Sequence, residues 1–190
     1  MLPFNNDIES CLEKLHAGGL ILYPTDTVWG IGCDATNAEA VARIYQLKRR
    51  EDSKAMIVLV ADERDILRYV TQPELQIFDY IKGVNRPTTV IYEGAVELAE
   101  NLLAADGSIA IRICEDPFCR NLIKRFQKPI VSTSANISGY PSPQCFRDIE
   151  PVIVDGVDYV VKYRQDDTEY HKPSSIVKWG KDGTLTIIRP

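Results

Sequence analysis

The sequence predicts an α/β domain built on a mixed sheet. Segments of helical and strand character alternate through the first half, and strand-like runs cluster in the second. Length agrees: 190 residues, 45% apolar and 26% charged, suffice for one core, so residues 1–190 are read as a single domain.

Taken in order, Ile8, Leu12 and Leu15 fall at helical spacing, and Gly18-Gly19 supplies a helix stop. "LILYPT" then reads as a strand closed by Pro24. A second helix opens near Asn37, carries Val41, Ile44 and Tyr45 on one face, and runs to "KRR". "AMIVLV", Ala55 to Val60, is a continuous apolar run, as expected of a strand covered on both faces. "TTVIY" and "SIAIRI" (Ser108 to Ile113) are further strands. In "EDP", Asp116 is placed to cap a helix with Pro117 at its first position and Phe118, Leu122 and Phe126 along one face. "KPIVSTS", residues 159–162, residues 175–178 and "TLTIIR" complete the strands, the last after the turn "KDG".

Composition removes several classes of function. Acidic residues outnumber basic ones, 27 to 22, so a polyanion would need a local basic patch, and nucleic acid is disfavoured as the main partner. Five cysteines without a C-x-x-C pair and only two histidines speak against a disulfide scaffold or a zinc site. Asp7 and Glu9 lie in the first amphipathic stretch and no apolar run reaches membrane-spanning length, so a cytoplasmic protein without a membrane partner is expected. Asn136-Ile137-Ser138 fits the glycosylation pattern, which has meaning only in a secreted chain.

Five stretches carry candidate chemistry. "GIGCDA" satisfies G-x-G-x-x-A, but "TDTVW" separates it from the preceding strand, so a tight bend near a ligand explains its glycines better than a dinucleotide fingerprint does. "PTDT", directly after a strand, fits either a locally bonded turn or a loop that orients a small polar substrate. Lys48 to Lys54 holds four cations at a helix end, which is either a solvated terminus or a clamp for a triphosphate. Arg112, inside an apolar strand, requires a carboxylate partner from the protein or from a ligand. Ser132, Thr133, Ser134 and Asn136 offer neutral polar groups at a strand end, either for phosphate or ribose oxygens or as a helix cap. No G-x-S-x-G surrounds Ser134, which disfavours a serine hydrolase.

In order, "YPTDTVWGIGCDA", Lys48-x-Arg50, "SIAIRI", "STSANISGYPSP" and "PSSIV" resemble the YrdC/TsaC-like family of threonylcarbamoyl-AMP synthases, from about Leu20 to Arg189. The resemblance implies a YrdC-like twisted mixed sheet with flanking helices and a large concave substrate groove. It implies an enzyme that makes threonylcarbamoyl-AMP and pyrophosphate from L-threonine, bicarbonate and ATP, with Mg²⁺ and no tightly bound organic cofactor. The product serves the threonylcarbamoyl modification of tRNA adenosine beside the anticodon, with tRNA or tRNA-modification proteins as partners downstream.

By the same resemblance, Thr27, Arg112 and Ser174 match threonine-binding positions, with the substrate carboxylate as the partner of Arg112. Lys48, Arg50, Lys54, Ser108, Ser134, Asn136, Gln144 and Arg189 match positions contacting ATP, while Ser132, Thr133 and Ser138 are read as scaffold. No catalytic side chain or metal ligand is identified, because carbamate attack on an α-phosphate needs alignment and charge neutralisation more than a protein nucleophile. The chain departs from the family pattern at Glu51, where proline is usual, and at "VNRP" before the "TT" pair, and it matches the short single-domain form. A non-catalytic RNA-binding module is the alternative, opposed by the net charge of −5 and the lack of interleaved basic and aromatic residues. A carbamoyl-transferring adenylate enzyme with another acceptor, like the similar domain of hydrogenase-maturation proteins, is a third reading.

Overall fold

A computed structural model describes residues 2–50, 56–180 and 183–190. The helices are α1 (Asn5–His16), α2 (Ala38–Lys48), α3 (Glu63–Tyr69), α4 (Gln76–Gly83), α5 (Pro117–Phe126) and α6 (Pro151–Asp155). The strands are β1 (Ile21–Tyr23), β2 (Gly30–Gly32), β3 (Ile57–Val60), β4 (Thr88–Tyr92), β5 (Ile109–Ile113), β6 (Ile130–Ser134), β7 (Tyr159–Val160), β8 (Ser175–Trp179) and β9 (Leu185–Arg189). Among the described residues they form one mixed sheet in the order β7-β1-β2-β6-β3-β5-β4-β8-β9.

Local chemistry sets most boundaries. Gly18, at φ +73°, closes α1, and the Gly19 amide donates to Lys14 O at 2.8 Å. Asn37 caps α2 by accepting from the Glu39 and Ala40 amides. Asp116 caps α5 through the Cys119 amide at 3.0 Å, with Pro117 at the first helical position. The strand runs expected at residues 88–92, 108–113 and 128–134 form at 88–92, 109–113 and 130–134.

Among the described residues four elements escape the periodicity. Helices α3, α4 and α6 span seven, eight and five residues, about two turns or fewer each, too short for a stripe to register. Strand β2 is Gly-Ile-Gly, the stretch read as a bend; neither glycine lies at positive φ. Both are glycine for closeness: a Cβ on Gly32 would lie 2.5 Å from Val131 O and 2.6 Å from the Tyr23 ring.

Register separates the two faces of the sheet. Ile57 pairs with Ala110 and Ser132, and Arg112 with Leu59 and Thr89; Ile91 pairs with Ala110, and Ile176 with Thr89. Directly paired residues share a face, so these side chains line one surface. The opposite surface carries buried Val58, Val60, Val90, Ile111, Val131 and Val177 in the core, where α5 packs against β3 and α1 against α5. Among the described residues no helix is long and apolar enough to cross a membrane. Lys54 and Glu51 lie outside the described residues.

Gly32→Ala is expected to cost about 2 kcal/mol through overpacking against a strand carbonyl. A thermal melt should show Tm lower by about 4–8 °C; an unchanged Tm would show that the strand can shift to admit the methyl group.

Candidate functional site

The exposed sheet face forms a cavity of about 340 Å³. Of the residues singled out in the sequence, Thr27, Arg50, Arg112, Ser134, Ser174 and Arg189 line it. They come from separate stretches of chain, joined only by strand order.

Arg112 lies at the centre, 3% exposed. Its Nη1 donates to Thr27 Oγ1 at 3.2 Å. Its Nη2 lies 3.0 Å from Asp26 Oδ1, a charge contact whose angle makes no hydrogen bond. The β1–β2 loop holding both partners is locked from within: Thr25 Oγ1 accepts from the Thr27 amide at 3.0 Å and donates to Val28 O at 2.8 Å. From outside, Cys119 Sγ donates to Pro24 O at 3.3 Å, and Arg164 Nη1 reaches Thr25 O at 3.4 Å while bonding Asp116 at 2.8 Å.

A second guanidinium belongs to Arg189, which donates from Nε and Nη2 to Ser174 O at 3.0 and 2.8 Å. Ser174 Oγ pairs with Thr89 Oγ1 at 2.8 Å. Burial lowers the Arg189 pKa, and the nearby Arg112 charge lowers it further. Burial also lowers the Arg50 pKa, with Tyr45 opposing. Both arginines stay charged at neutral pH because the starting value is so high. Positive charge with hydroxyls on either side suits an anionic ligand.

The other sequence-predicted residues stand elsewhere. Lys48 is 1% exposed and points into the protein: its Nζ donates to Ser134 O and, at 2.5 Å, to Asn136 O. Desolvation, with a smaller contribution from the Arg50 charge, pushes its pKa down to about 7. Lys48 therefore ties the end of α2 to the loop after β6. Arg49, left-handed at φ +50°, reverses the chain there, so Arg50 reaches the groove that Lys48 does not.

Asn136 is buried beside that tie; its Nδ2 donates to Ile137 O and Tyr140 O, and its Oδ1 has no partner among the described residues. Ser108 is buried and spends its hydroxyl on Asp106 at 2.6 Å, away from the groove lining. Gln144 is exposed; its amide N–H donates to Asp148 at 3.2 Å, and it does not line the cavity. Conversely, Ser132 and Thr133, expected as scaffold, line the cavity, as do Ser142 and Ile188. Strand alternation could have found Ser132, which shares a face with Ser134.

A larger cavity of about 540 Å³ beside α3 and α4 is lined by charges of both signs and contains none of the predicted site residues. Among the described residues no group of three His, Cys, Asp or Glu side chains could hold a metal ion.

Comparison with known proteins identifies the family and the fold. The Sua5_yciO_yrdC family model, described as telomere recombination, matches residues 13–190. The threonylcarbamoyl-AMP synthase of Vibrio campbellii is 30% identical over 173 residues, covering 90% of this chain and 92% of that protein. The bovine threonylcarbamoyl-AMP synthase is 30% identical over 191 residues, covering 96% of this chain and 67% of that protein. In fold, the chain is similar to P. abyssi Sua5 crystallised with L-threonine, with a TM-score of 0.84 at 21% identity. That match covers 96% of this chain but 53% of the Sua5 chain, so this chain spans about half of its length.

The Lys48 geometry predicts a pH effect. Folding lowers its pKa from the ordinary 10.5 to about 7, so between these values the unfolded chain binds the proton more tightly and stability rises with pH. Urea unfolding at pH 7.0 and 8.5 should show the wild type gaining about 1–2 kcal/mol on Lys48→Met over that interval. Parallel behaviour of the two proteins would show that Lys48 remains charged in the fold.

Proposed function

The chain belongs to the Sua5/YciO/YrdC family, and from that membership we propose that it is a threonylcarbamoyl-AMP synthase, a nucleotidyltransferase acting on L-threonine, bicarbonate and ATP. The observation that carries this reading is the convergence of Arg50, Arg112 and Arg189 with Thr27, Ser134 and Ser174 on one sheet face.

In this reading Arg112 receives the threonine carboxylate, for which its planar fork is suited, and Thr27 and Ser174 orient the rest of the amino acid. Arg50 and Arg189 meet phosphate oxygens, and Ser134, with Ser132, offers neutral donors beside them. Threonine's ammonium first gives up a proton to water, and the free amine combines with bicarbonate to give a carbamate and water. A carbamate oxygen then attacks the α-phosphorus of ATP, forming threonylcarbamoyl-AMP as the bond to pyrophosphate breaks. The arginines neutralise charge on the phosphates, and the rigid sheet supplies alignment.

Mg²⁺ accompanies the nucleotide in this scheme. The polar side chains that line the groove among the described residues are hydroxyls and guanidiniums, so an ion there would be held by phosphate oxygens and water. The adenylate feeds tRNA modification in the cytoplasm. Lys48 and Asn136 support the loop that presents Ser134, an indirect part in nucleotide binding.

Two measurements test the reading. Pyrophosphate release from ATP should require L-threonine and bicarbonate together; release that ignores threonine would refute it. In calorimetric titrations, Arg112→Ala should weaken threonine binding by about a hundredfold, the loss expected for a charge-assisted bidentate contact. ATP affinity should stay within a factor of about three, a change below 1 kcal/mol; equal losses would remove the carboxylate role.

A further inference from the structure

The ion pair between Arg112, which lines the groove, and Asp26, which lines the adjoining cavity, is left incomplete on both sides. Asp26 Oδ1 and Arg112 Nε are buried and have no hydrogen-bond partner among the described residues. Buried polar groups are nearly always paired, because each unmet donor or acceptor costs about 1–3 kcal/mol. Two unmet groups within one ion pair, one a donor and the other an acceptor, mark a place for a ligand that brings both kinds of partner.

The two residues are held for this purpose by different parts of the fold. Arg112 is fixed by its strand and by Thr27. Asp26 sits in the β1–β2 loop, its side chain 13% exposed, between the groove and an adjoining cavity of about 440 Å³ that Asp26 lines. The loop is pinned by the Thr25 hydroxyl network and by Arg164, so the backbone that carries Asp26 holds one shape.

We propose that Asp26 receives the α-amino group of the substrate whose carboxylate Arg112 holds, so that the pair reads the zwitterion of an α-amino acid. This rests on the reading of the groove as a threonine site and extends it to a residue which that reading leaves without a role. An α-amino acid carries its ammonium and carboxylate on one carbon, so both reach a donor and an acceptor that are themselves in contact. A simple carboxylic acid satisfies only Arg112 and must compete with Asp26 for it. An amine without a carboxylate satisfies only Asp26 and meets the positive charge of Arg112 and Arg189. Selection for amino acids over hydroxy acids is then set by one carboxylate.

The test compares L-threonine with 2,3-dihydroxybutanoate, in which a hydroxyl replaces the amine, by calorimetric titration of the wild type, Asp26→Asn and Arg112→Lys. Wild type should prefer threonine by at least about tenfold. Asp26→Asn should lose about ten- to a hundredfold in threonine affinity while binding the hydroxy acid equally or more tightly, since Arg112 loses its internal competitor. Arg112→Lys should weaken both ligands. Equal wild-type affinity for the two ligands overturns the proposal without reference to any variant. Parallel loss of both ligands in Asp26→Asn, with ATP binding and Tm retained, also overturns it, as does unchanged threonine binding. A wild type that binds ATP but no threonine overturns the amino-acid reading itself, and the role of Asp26 with it.

Discussion

A guanidinium buried in the middle of a sheet is the constraint around which the rest of this molecule is arranged. Arg112 is 3% exposed, in a strand whose neighbours Ile111 and Ile113 are apolar. Such a group is tolerable only if its field is answered nearby. Asp26 and Thr27 answer part of it, which requires their loop to hold one shape. Hence the hydroxyl of Thr25 bonds three groups on two neighbours, Thr27 and Val28, and Arg164, itself left-handed at φ +66°, spans from Thr25 to Asp116 and Asp167. A non-glycine residue in that conformation stores strain, held here by its ion pairs.

Arg189 brings a second guanidinium into the groove, its pKa lowered by burial and further by the Arg112 charge, and it is anchored by Ser174. Among the described residues that line it, the groove thus carries three guanidiniums and no carboxylate, a surplus of positive charge. That surplus is prepared before any ligand arrives, so little reorganisation is needed when an anion binds.

Lys48 and Arg50, two residues apart at the end of α2, show how backbone geometry divides similar charges between structure and function. The left-handed turn at Arg49 sends the lysine inward, where it ties two carbonyls of the loop after β6, and the arginine outward to the groove. A lysine suits the inner position because its ammonium can shed its proton under desolvation, which a guanidinium does not do. The two elements that the sequence pairs by resemblance, Lys48-x-Arg50 and Ser134-x-Asn136, are in contact here, but through the backbone of the second and not through its hydroxyl or amide.

Much was legible in the sequence because the signals are local. The helix start near Asn37, the cap at Asp116, the stop at Gly18, the apolar strand runs and the anomaly of Arg112 within one of them all depend on neighbours a few residues away. Resemblance added which distant stretches belong together, and six of its residues line one cavity. What the sequence could not decide was side-chain direction and partner. Ser108 carries the same hydroxyl as Ser134 yet spends it on Asp106, and Ser132 faces the groove because its strand alternates from Ser134. Gly32 is glycine because Val131, ninety-nine positions later, passes behind it. The sequence by itself determined the α/β class, most element boundaries and the residues able to hold an anion. Tertiary structure alone decided which of them meet, and that Asp26 stands beside Arg112, because those contacts follow from strand order and register across distant segments, where local spacing carries no information.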